Sequence, residues 1–224
     1  MSNGAHTTTA FLDAIKAGEL DRVKAMVSET PSLVDARGEG GGSAILTAVY
    51  HRQKEIVNLL VARGATLTLA EAAAAGELER VERLVAESPS ALRAYSDDGW
   101  TPLHLASFFG HAKVIELLLA HDADVAAVSR NANGNTPLHA ALAGNHQLAA
   151  GLLIGRGADV NAPDAAGWRP LHLAAANGAM DAMKTLLAQG ADVRATNKDG
   201  LTPLALAKQK NHREAAALLQ RHGG

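Results

Sequence analysis

The sequence predicts an all-α solenoid of about seven stacked helix-turn-helix pairs, and the main observation behind this prediction is an internal repeat. A Thr-Pro-Leu-His motif that starts at Thr101 returns in similar form at Thr136, Arg169 and Thr202, at offsets of 35, 33 and 33 residues. After each copy come a small-residue segment, a Gly or Asn near a corner, and an apolar segment. Aromatic residues make up only 3% of the chain. The core must therefore be built mainly from Leu, Val, Ile and Ala, which suits closely packed helices.

The first hundred residues follow the same plan in a shortened form. Two segments, 17–34 and 43–65, align with later segments at an offset of 58 residues. Since 58 is about 8 less than two periods of 33, one connection must be short, and the missing part falls near residues 65–69. There Thr68 and Glu71 form a capping-box pattern, which predicts that a helix starts almost at once.

The residues at the starts and corners of the predicted helices have physical reasons to be there. Thr101 can cap the first helix of its pair with its hydroxyl. Pro102 suits the first helical turn, where its missing N–H costs nothing. Gly110 and Gly178 permit a sharp corner between the two helices of a pair. One pair cannot bury its apolar face alone, so the pairs must stack into a continuous core.

The motif at residues 101–104 and its copies resemble the ankyrin repeat, and the whole chain resembles stand-alone prokaryotic-type ankyrin-repeat domain proteins. The resemblance implies antiparallel helix pairs with projecting β-hairpin fingers, one of which is missing near residues 65–69. It also implies a non-enzymatic protein-protein interaction module or scaffold. Such a module would bind its partner through a concave face, which the finger tips and the inner helices form.

The expected organisation is a disordered tail over residues 1–7 followed by a single domain over residues 8–224. The first and last pairs are expected to act as caps, because an end repeat faces water on one side. In the last copy, Ala205 replaces the histidine of the earlier copies. The predicted repeats cover approximately residues 8–40, 41–66, 67–97, 98–131, 132–165, 166–198 and 199–224.

The bulk composition argues against several classes of protein. The formal net charge of −2 does not favour nucleic acid or an anionic membrane as the partner, because both require a concentrated basic face. The chain has no cysteine, which removes disulfides, thiol catalysis and zinc–thiolate sites. No apolar run approaches the ~18 residues of a membrane-spanning helix. We therefore expect a cytoplasmic monomer that binds a protein partner.

Histidine is the residue type with the most potential for chemistry, but its pattern is structural. His104, His139 and His172 recur at equivalent positions, yet packed helices lie ~8–10 Å apart, too far for their imidazoles to share a metal ion. The family resemblance implies instead that each imidazole bonds to backbone between adjacent repeats. His51 is the one obvious proton-transfer candidate, and it has no partner group. With no catalytic motif in the chain, we expect neither an enzyme nor a cofactor.

Aromatic residues stand out at the positions that the scaffold leaves free. Of the seven Phe, Tyr and Trp residues, Phe11 alone falls outside the expected concave face, and aromatic residues are the usual energetic anchors of interfaces. Carrying that face over from the resembled family selects as partner-binding residues Tyr50, His51, Tyr95, Asp97, Trp100, Phe108, Phe109, Arg130, Trp168 and Lys198. Two alternatives remain open. The aromatic residues could pack between repeats, or a small apolar or aromatic ligand, or a minor catalytic site, could occupy the notch left by the missing finger. That notch would be lined by Tyr50, His51, Tyr95 and Phe108.

Overall fold

The predicted helix pairs are present in the computed structural model, which describes residues 2–39 and 41–224, with side chains from Ala5 onward. This part of the chain contains fourteen α-helices in seven consecutive pairs. The first helices of the pairs are α1 (Ser2–Ala17), α3 (Ala44–Tyr50), α5 (Leu69–Ala75), α7 (Pro102–Phe109), α9 (Pro137–Ala143), α11 (Pro170–Ala176) and α13 (Pro203–Gln209). The second helices are α2 (Leu20–Glu29), α4 (Lys54–Ala62), α6 (Leu78–Glu87), α8 (Ala112–Ala120), α10 (Gln147–Gly155), α12 (Met180–Ala188) and α14 (Arg213–Arg221). Short 3₁₀ turns at Pro31–Asp35 and Pro89–Arg93 follow α2 and α6.

The helix pairs stack in two layers. Each first helix contacts the first helix of the next pair, and the second helices pack in the same way from α6 to α14. A single hydrophobic cluster, made mostly of Ala, Leu, Val and Ile, runs from Phe11 to Leu219. The chain is therefore one continuous stack with a shared core, as the repeat pattern predicted.

The caps at the helix starts confirm the interpretation of the motif. The Thr101 hydroxyl accepts a hydrogen bond from the His104 backbone N–H at 3.4 Å, and Pro102 lies in the first turn of α7. Thr136 and Thr202 cap α9 and α13 in the same way. The motif thus places the starts of α7, α9 and α13 at defined residues.

The corner after α7 depends on a glycine. Gly110 has φ 77°, a left-handed conformation that an L-residue adopts only at a cost. It also lies under the ring of His146 from the next pair, so that a Cβ there would come within 2.3 Å of His146 Nδ1. Gly110 is therefore required both by the backbone turn and by the close approach of the following repeat.

The loops between pairs, which we term finger loops (36–43, 94–101, 127–136, 162–169 and 195–202), differ from the β-hairpins that the resemblance implied. Among the described residues there is only one isolated bridge, between Arg37 and Ser43, and no strand. In the loop 162–169, one backbone bond of 2.8 Å joins Asp164 N to Trp168 O. The Asp164 carboxylate accepts two more N–H groups of the turn. Side-chain acceptors thus take the donors that a second strand would otherwise pair.

The connection between the second and third pairs is short. It comprises six residues, 63–68, whereas residues 189–202 join α12 to α13. Helix α5 begins directly after it, with both halves of the predicted capping box formed by Thr68 and Glu71. The finger loops 36–43 and 94–101 precede the second and fourth pairs. The third pair, which lies between these two, has no finger loop before its first helix.

The amino-terminal helix also differs from the prediction. A disordered tail was expected over residues 1–7, but α1 already begins at Ser2, while Met1 lies outside the described residues. Phe11 and Ile15 of this helix are completely buried. These two buried side chains anchor the helix. Starting a helix is costly, but each residue added to an existing helix gains a hydrogen bond, so α1 can extend towards the amino terminus.

Candidate functional site

Four aromatic side chains form a continuous row on the first helices and one finger loop. Tyr50 of α3 contacts Phe109 of α7 with ring centroids 5.4 Å apart. Phe109 contacts Phe108 at 5.1 Å, and Phe108 contacts Trp100 of the finger loop at 5.8 Å. Each pair meets edge to face, a favourable geometry for aromatic rings. We term Tyr50, Trp100, Phe108 and Phe109 the aromatic row.

The aromatic row crosses the third helix pair. Tyr50 belongs to the second pair and Phe109 to the fourth, yet their rings are in contact. Helix α5, which lies between α3 and α7, consists of alanine at residues 72–75, and its pair has no finger loop. The small side chains and the short connection let the second and fourth pairs approach one another over the third.

Polar contacts hold the aromatic side chains in place. The Tyr50 hydroxyl donates to the Asp98 carboxylate, and burial, together with this hydrogen bond, raises the pKa of Tyr50 well above its usual value. The hydroxyl therefore stays protonated and keeps donating. In the same finger loop, the Tyr95 hydroxyl donates to the Val128 carbonyl at 3.1 Å, and the Arg130 guanidinium lies 3.9 Å from the centre of the Tyr95 ring. Neighbouring finger loops are thus tied together through a cation–π contact.

The members of the aromatic row differ in how much they serve the core. Trp100, Phe108 and Phe109 are all partly buried, but only Trp100 and Phe109 pack against the hydrophobic core. Tyr50 is 42% exposed. The alternative of packing between repeats therefore applies in part to Trp100 and Phe109. Tyr50 is the exposed member of the row, and Phe108 is the partly buried member that does not pack on the core.

The remaining predicted site residues lie around or beyond the row. His51 is exposed next to Tyr50 at the end of α3. Trp168 contacts His172 with ring centroids 6.1 Å apart and does not touch the row. The Lys198 side chain is exposed on the last finger loop, where its backbone N–H donates to the Ala166 carbonyl at 3.0 Å. The structure therefore brings together the predicted residues of the second to fourth pairs, and leaves Trp168 and Lys198 on later loops.

An arginine that the sequence did not single out connects three repeats beside the short connection. Arg37 Nη2 lies 3.1 Å from Glu71 Oε1, and Arg37 Nη1 lies 3.2 Å from Asp97 Oδ2. The Glu71 side chain is only 1% exposed, and its other oxygen accepts the backbone N–H and the hydroxyl of Thr68 at 2.7 and 2.8 Å. We term Arg37, Glu71 and Asp97 the Arg37 bridge. In the sequence, Glu71 is the residue that could have indicated this bridge, because it occupies the position at which other copies of the motif have histidine.

A cleft of about 470 Å³ lies between the short connection and the finger loop 94–101. Its apolar lining is formed by Leu46, Leu69, Ala70, Leu84, Ala91 and Ala94, and Arg37, Glu71, Glu87 and Asp97 add charged groups. Of the four residues predicted to line this notch, Tyr95 does so, but Tyr50, His51 and Phe108 do not. The contact between Tyr50 and Phe109 explains this difference for the aromatic side chains, because it holds them in the row.

The recurring histidines link adjacent repeats, as predicted. The imidazole Nε2 atoms of His104, His139 and His172 lie 2.8, 3.0 and 3.1 Å from the carbonyl oxygens of Asn135, Trp168 and Leu201. Burial lowers the pKa of all three, and that of His104 to about 4. Each neutral ring can therefore donate to the loop that follows it. Within the described residues, no three His, Asp or Glu side chains are grouped so that they could hold a metal ion.

Stacked helix pairs, capped by threonine and linked by buried histidine, define a helical repeat protein. The family model described as ankyrin repeats, three copies, matches residues 69–164 and 152–224. The chain therefore belongs to the ankyrin-repeat family, whose members are protein-protein interaction modules. The match begins at the third pair, and the first two pairs have the same helix-pair architecture in the structure.

Three relatives show how far the similarity extends. Ankyrin repeat domain-containing protein 49 from Bos taurus is 41% identical over 58 residues, which are 26% of this chain and 24% of that protein. Ankyrin repeat-containing protein ITN1 from Arabidopsis thaliana is 30% identical over 124 residues, 55% of this chain and 20% of that protein. Serine/threonine-protein kinase VIK from the same plant is 32% identical over 113 residues, 48% and 24% of the two chains. The chain thus spans less than a quarter of the length of each. In the described part of the chain, none of the helices is long and apolar enough to cross a membrane.

Proposed function

We propose that the chain binds a protein partner through its concave face, with the aromatic row at the centre of the contact. The observation that carries this proposal is the continuous chain of ring contacts from Tyr50 through Phe109 and Phe108 to Trp100. These residues lie on first helices and a finger loop, where the family resemblance places partner contacts. Rings that are already held in position lose little side-chain freedom on binding, which favours affinity.

Polar residues around the row suit the rim of such an interface. Asp97, His51 and Arg130 are exposed beside the aromatic residues, and interfaces commonly surround an apolar centre with polar groups. Trp168 and Lys198 would extend the contact along the later finger loops. The role is non-enzymatic, that of a scaffold, because the recurring imidazoles are engaged in links between repeats. A cytoplasmic location agrees with a composition that lacks cysteine.

The test compares a variant of the row with a matched variant of the opposite layer. Tyr50→Ser combined with Phe108→Ser removes the exposed ring and the ring that does not pack on the core, while Trp100 and Phe109 stay to support the core. Leu20→Ser is the control, because Leu20 is 37% exposed on the second helix α2. Proteins captured from a lysate by the wild type are identified by mass spectrometry. The most enriched one is then purified and titrated against all three chains.

We expect the double variant to bind that protein at least ~10-fold more weakly, as for the loss of hot-spot residues. The Leu20 control should bind like the wild type. Circular dichroism must show the same helix content in all three. Equal affinity of the double variant, with its helices intact, would remove the aromatic row from the binding site.

The cleft beside the short connection supports a second candidate function, the binding of a small apolar or aromatic ligand. Its volume of about 470 Å³ is in the range of small-molecule sites. Indole serves as the probe, and Ala94→Trp, which places a large ring at the cleft wall, is the blocking variant. Indole should raise the Tm of the wild type and leave the variant unaffected. An equal shift in both chains, or none in the wild type, would exclude this use of the cleft.

A further inference from the structure

Helix α10 has a surface unlike that of the other second helices. Among the described residues, each of the other six carries at least two charged side chains, whereas α10 has the sequence QLAAGLLIG and carries none. Leu148 on α10 is 69% exposed, more than any other large hydrophobic side chain of the described residues. The core of the repeat gains nothing from a leucine in that position.

The exposed residues of α10 lie on one face of the helix. Leu148, Gly151 and Gly155 are exposed, and Leu152 is partly so. Their spacing of three, four and seven residues aligns them along the helix surface. The space next to both glycines is open, since a Cβ on either would meet no atom within 4 Å. This face therefore combines a projecting leucine with a shallow groove and could admit another helix closely.

We propose that α10 is the centre of a two-fold interface with a second copy of this chain. The two α10 helices run parallel and pack side by side, with the symmetry axis parallel to the helices. In such an isologous contact the same residues serve both copies, so that Leu148 meets Leu148 and Gly151 meets Gly151. The arrangement also places α8 of each copy opposite α12 of the other.

Charge complementarity between α8 and α12 is what selects a second copy as the occupant. The second and fifth residues of α8 are Lys113 and Glu116, and those of α12 are Asp181 and Lys184. All four are exposed. At equal height along the helices, Lys113 of one copy faces Asp181 of the other, and Glu116 faces Lys184. The symmetry repeats both pairs, so that four oppositely charged contacts surround the uncharged centre.

The charges of α8 are available for this contact. Lys184 and Asp181 form an exposed ion pair within α12, with a distance of 3.5 Å. Within the described part of the chain, neither Lys113 nor Glu116 has an ion-pair partner. Exposed pairs contribute little each, but an arrangement that matches four charges also disfavours other registers and orientations.

The expected dimer is weak. The contact centres on one helix, and stable complexes usually bury roughly 1,200–2,000 Å². The monomer expected from the sequence therefore applies to dilute solution, and the dimer forms at high concentration. The aromatic row lies on the first helices and stays free, so a dimer would present two binding faces and gain affinity for a multivalent partner. This inference is independent of the proposed function.

Sedimentation equilibrium of the full chain tests the proposal, at concentrations from ~10 μM to ~1 mM, which cover weak association. The wild type should show a monomer–dimer equilibrium. Leu148→Glu should remain a monomer throughout, and Leu148→Gln provides a milder change at the same exposed site. The control is Leu20→Glu, because Leu20 is 37% exposed on the second helix α2. It should associate like the wild type.

A charge swap tests the orientation. Lys113→Glu combined with Glu116→Lys turns all four contacts into repulsive ones, and should weaken association roughly 10-fold or more. Adding Asp181→Lys and Lys184→Asp makes the contacts complementary again and should restore the wild-type constant. A wild type that remains monomeric, or a Leu148→Glu chain that still dimerises, would overturn the interface. Failure of the fourfold variant to recover would overturn the parallel two-fold arrangement.

Discussion

Replacing Arg37 by methionine should destabilise the protein by about 2–3 kcal/mol, through the carboxylate it leaves behind. Glu71 is 1% exposed, and its oxygen Oε1 has the Arg37 guanidinium at 3.1 Å as its ionic partner. Removing one member of a buried ion pair costs roughly 3–5 kcal/mol. Because Arg37 itself is 47% exposed and Thr68 still serves the other oxygen, the expected loss lies at or just below the lower end of that range. Methionine keeps the length of the arginine stem, so lost packing contributes little.

The assay is urea unfolding at neutral pH, followed by far-UV circular dichroism and by tryptophan fluorescence. Trp100, one of the two tryptophans of the chain, lies in the finger loop that the Arg37 bridge contacts, so part of the fluorescence signal reports on the affected repeats. Agreement of the two signals shows whether the repeats unfold together, which a linear array does not guarantee. The matched control is Asp97→Asn, which breaks the exposed half of the bridge and should cost at most about 1 kcal/mol.

A double variant isolates the mechanism. In Arg37→Met combined with Glu71→Gln, the buried group is neutral and can still accept hydrogen bonds from Thr68. The double variant should therefore be more stable than Arg37→Met alone, although it carries one more substitution. The reasoning fails if Arg37→Met costs no more than Asp97→Asn, or if Glu71→Gln brings no recovery.

Two further predictions concern the links between repeats. In urea unfolding, Gly110→Ala should lower the free energy of unfolding by about 2–4 kcal/mol, and Gly157→Ala should lower it by about 1–2 kcal/mol. Both glycines have positive φ, but only a Cβ on Gly110 would meet His146. Equal costs would show that His146 moves aside freely. Because burial lowers the pKa of His104 to about 4, the unfolded state binds more protons than the folded state between about pH 6.5 and pH 4, and the free energy of unfolding falls as the pH falls through this window. His104→Gln should reduce that slope by up to about 1.4 kcal/mol per pH unit, and a slope unchanged from the wild type would show that His104 does not contribute to it.

The helix pairs were predictable because local rules place them. The Thr-Pro start, with its cap, and the glycine corner act within a few residues of chain, so that Thr101, Pro102 and Gly110 could be interpreted without tertiary information. The histidine links could be expected only through the family resemblance, since His104 and Asn135 are 31 residues apart. The turns inside the finger loops were less accessible to prediction, because Asp164 and similar residues compete with strand pairing through their side chains.

The composition of the site could be predicted, but its arrangement could not. The sequence identified Tyr50, Phe108 and Phe109 as candidates. It could not show that Tyr50 reaches Phe109 across an intervening pair, because this depends on how closely α3 and α7 approach over the alanines of α5. Likewise, Arg37 contacts Glu71 and Asp97, which are 34 and 60 residues away, and nothing local in its surroundings indicates either contact.

The shortened third pair connects these two features. Its start carries Glu71 in place of histidine, and a carboxylate cannot donate to the Trp100 carbonyl as His139 does to that of Trp168. The Trp100 carbonyl accepts the backbone N–H of Ser96 at 2.8 Å, as that of Trp168 accepts the N–H of Asp164, and the Ser96 hydroxyl at 2.9 Å takes the place of the imidazole. Glu71 contacts Arg37 of the preceding finger loop. At its other end, the alanines of the same pair let the rings of the second and fourth pairs meet. The third pair thus combines a short connection with a substitute link between repeats, and with the contact between Tyr50 and Phe109 that makes the aromatic row continuous.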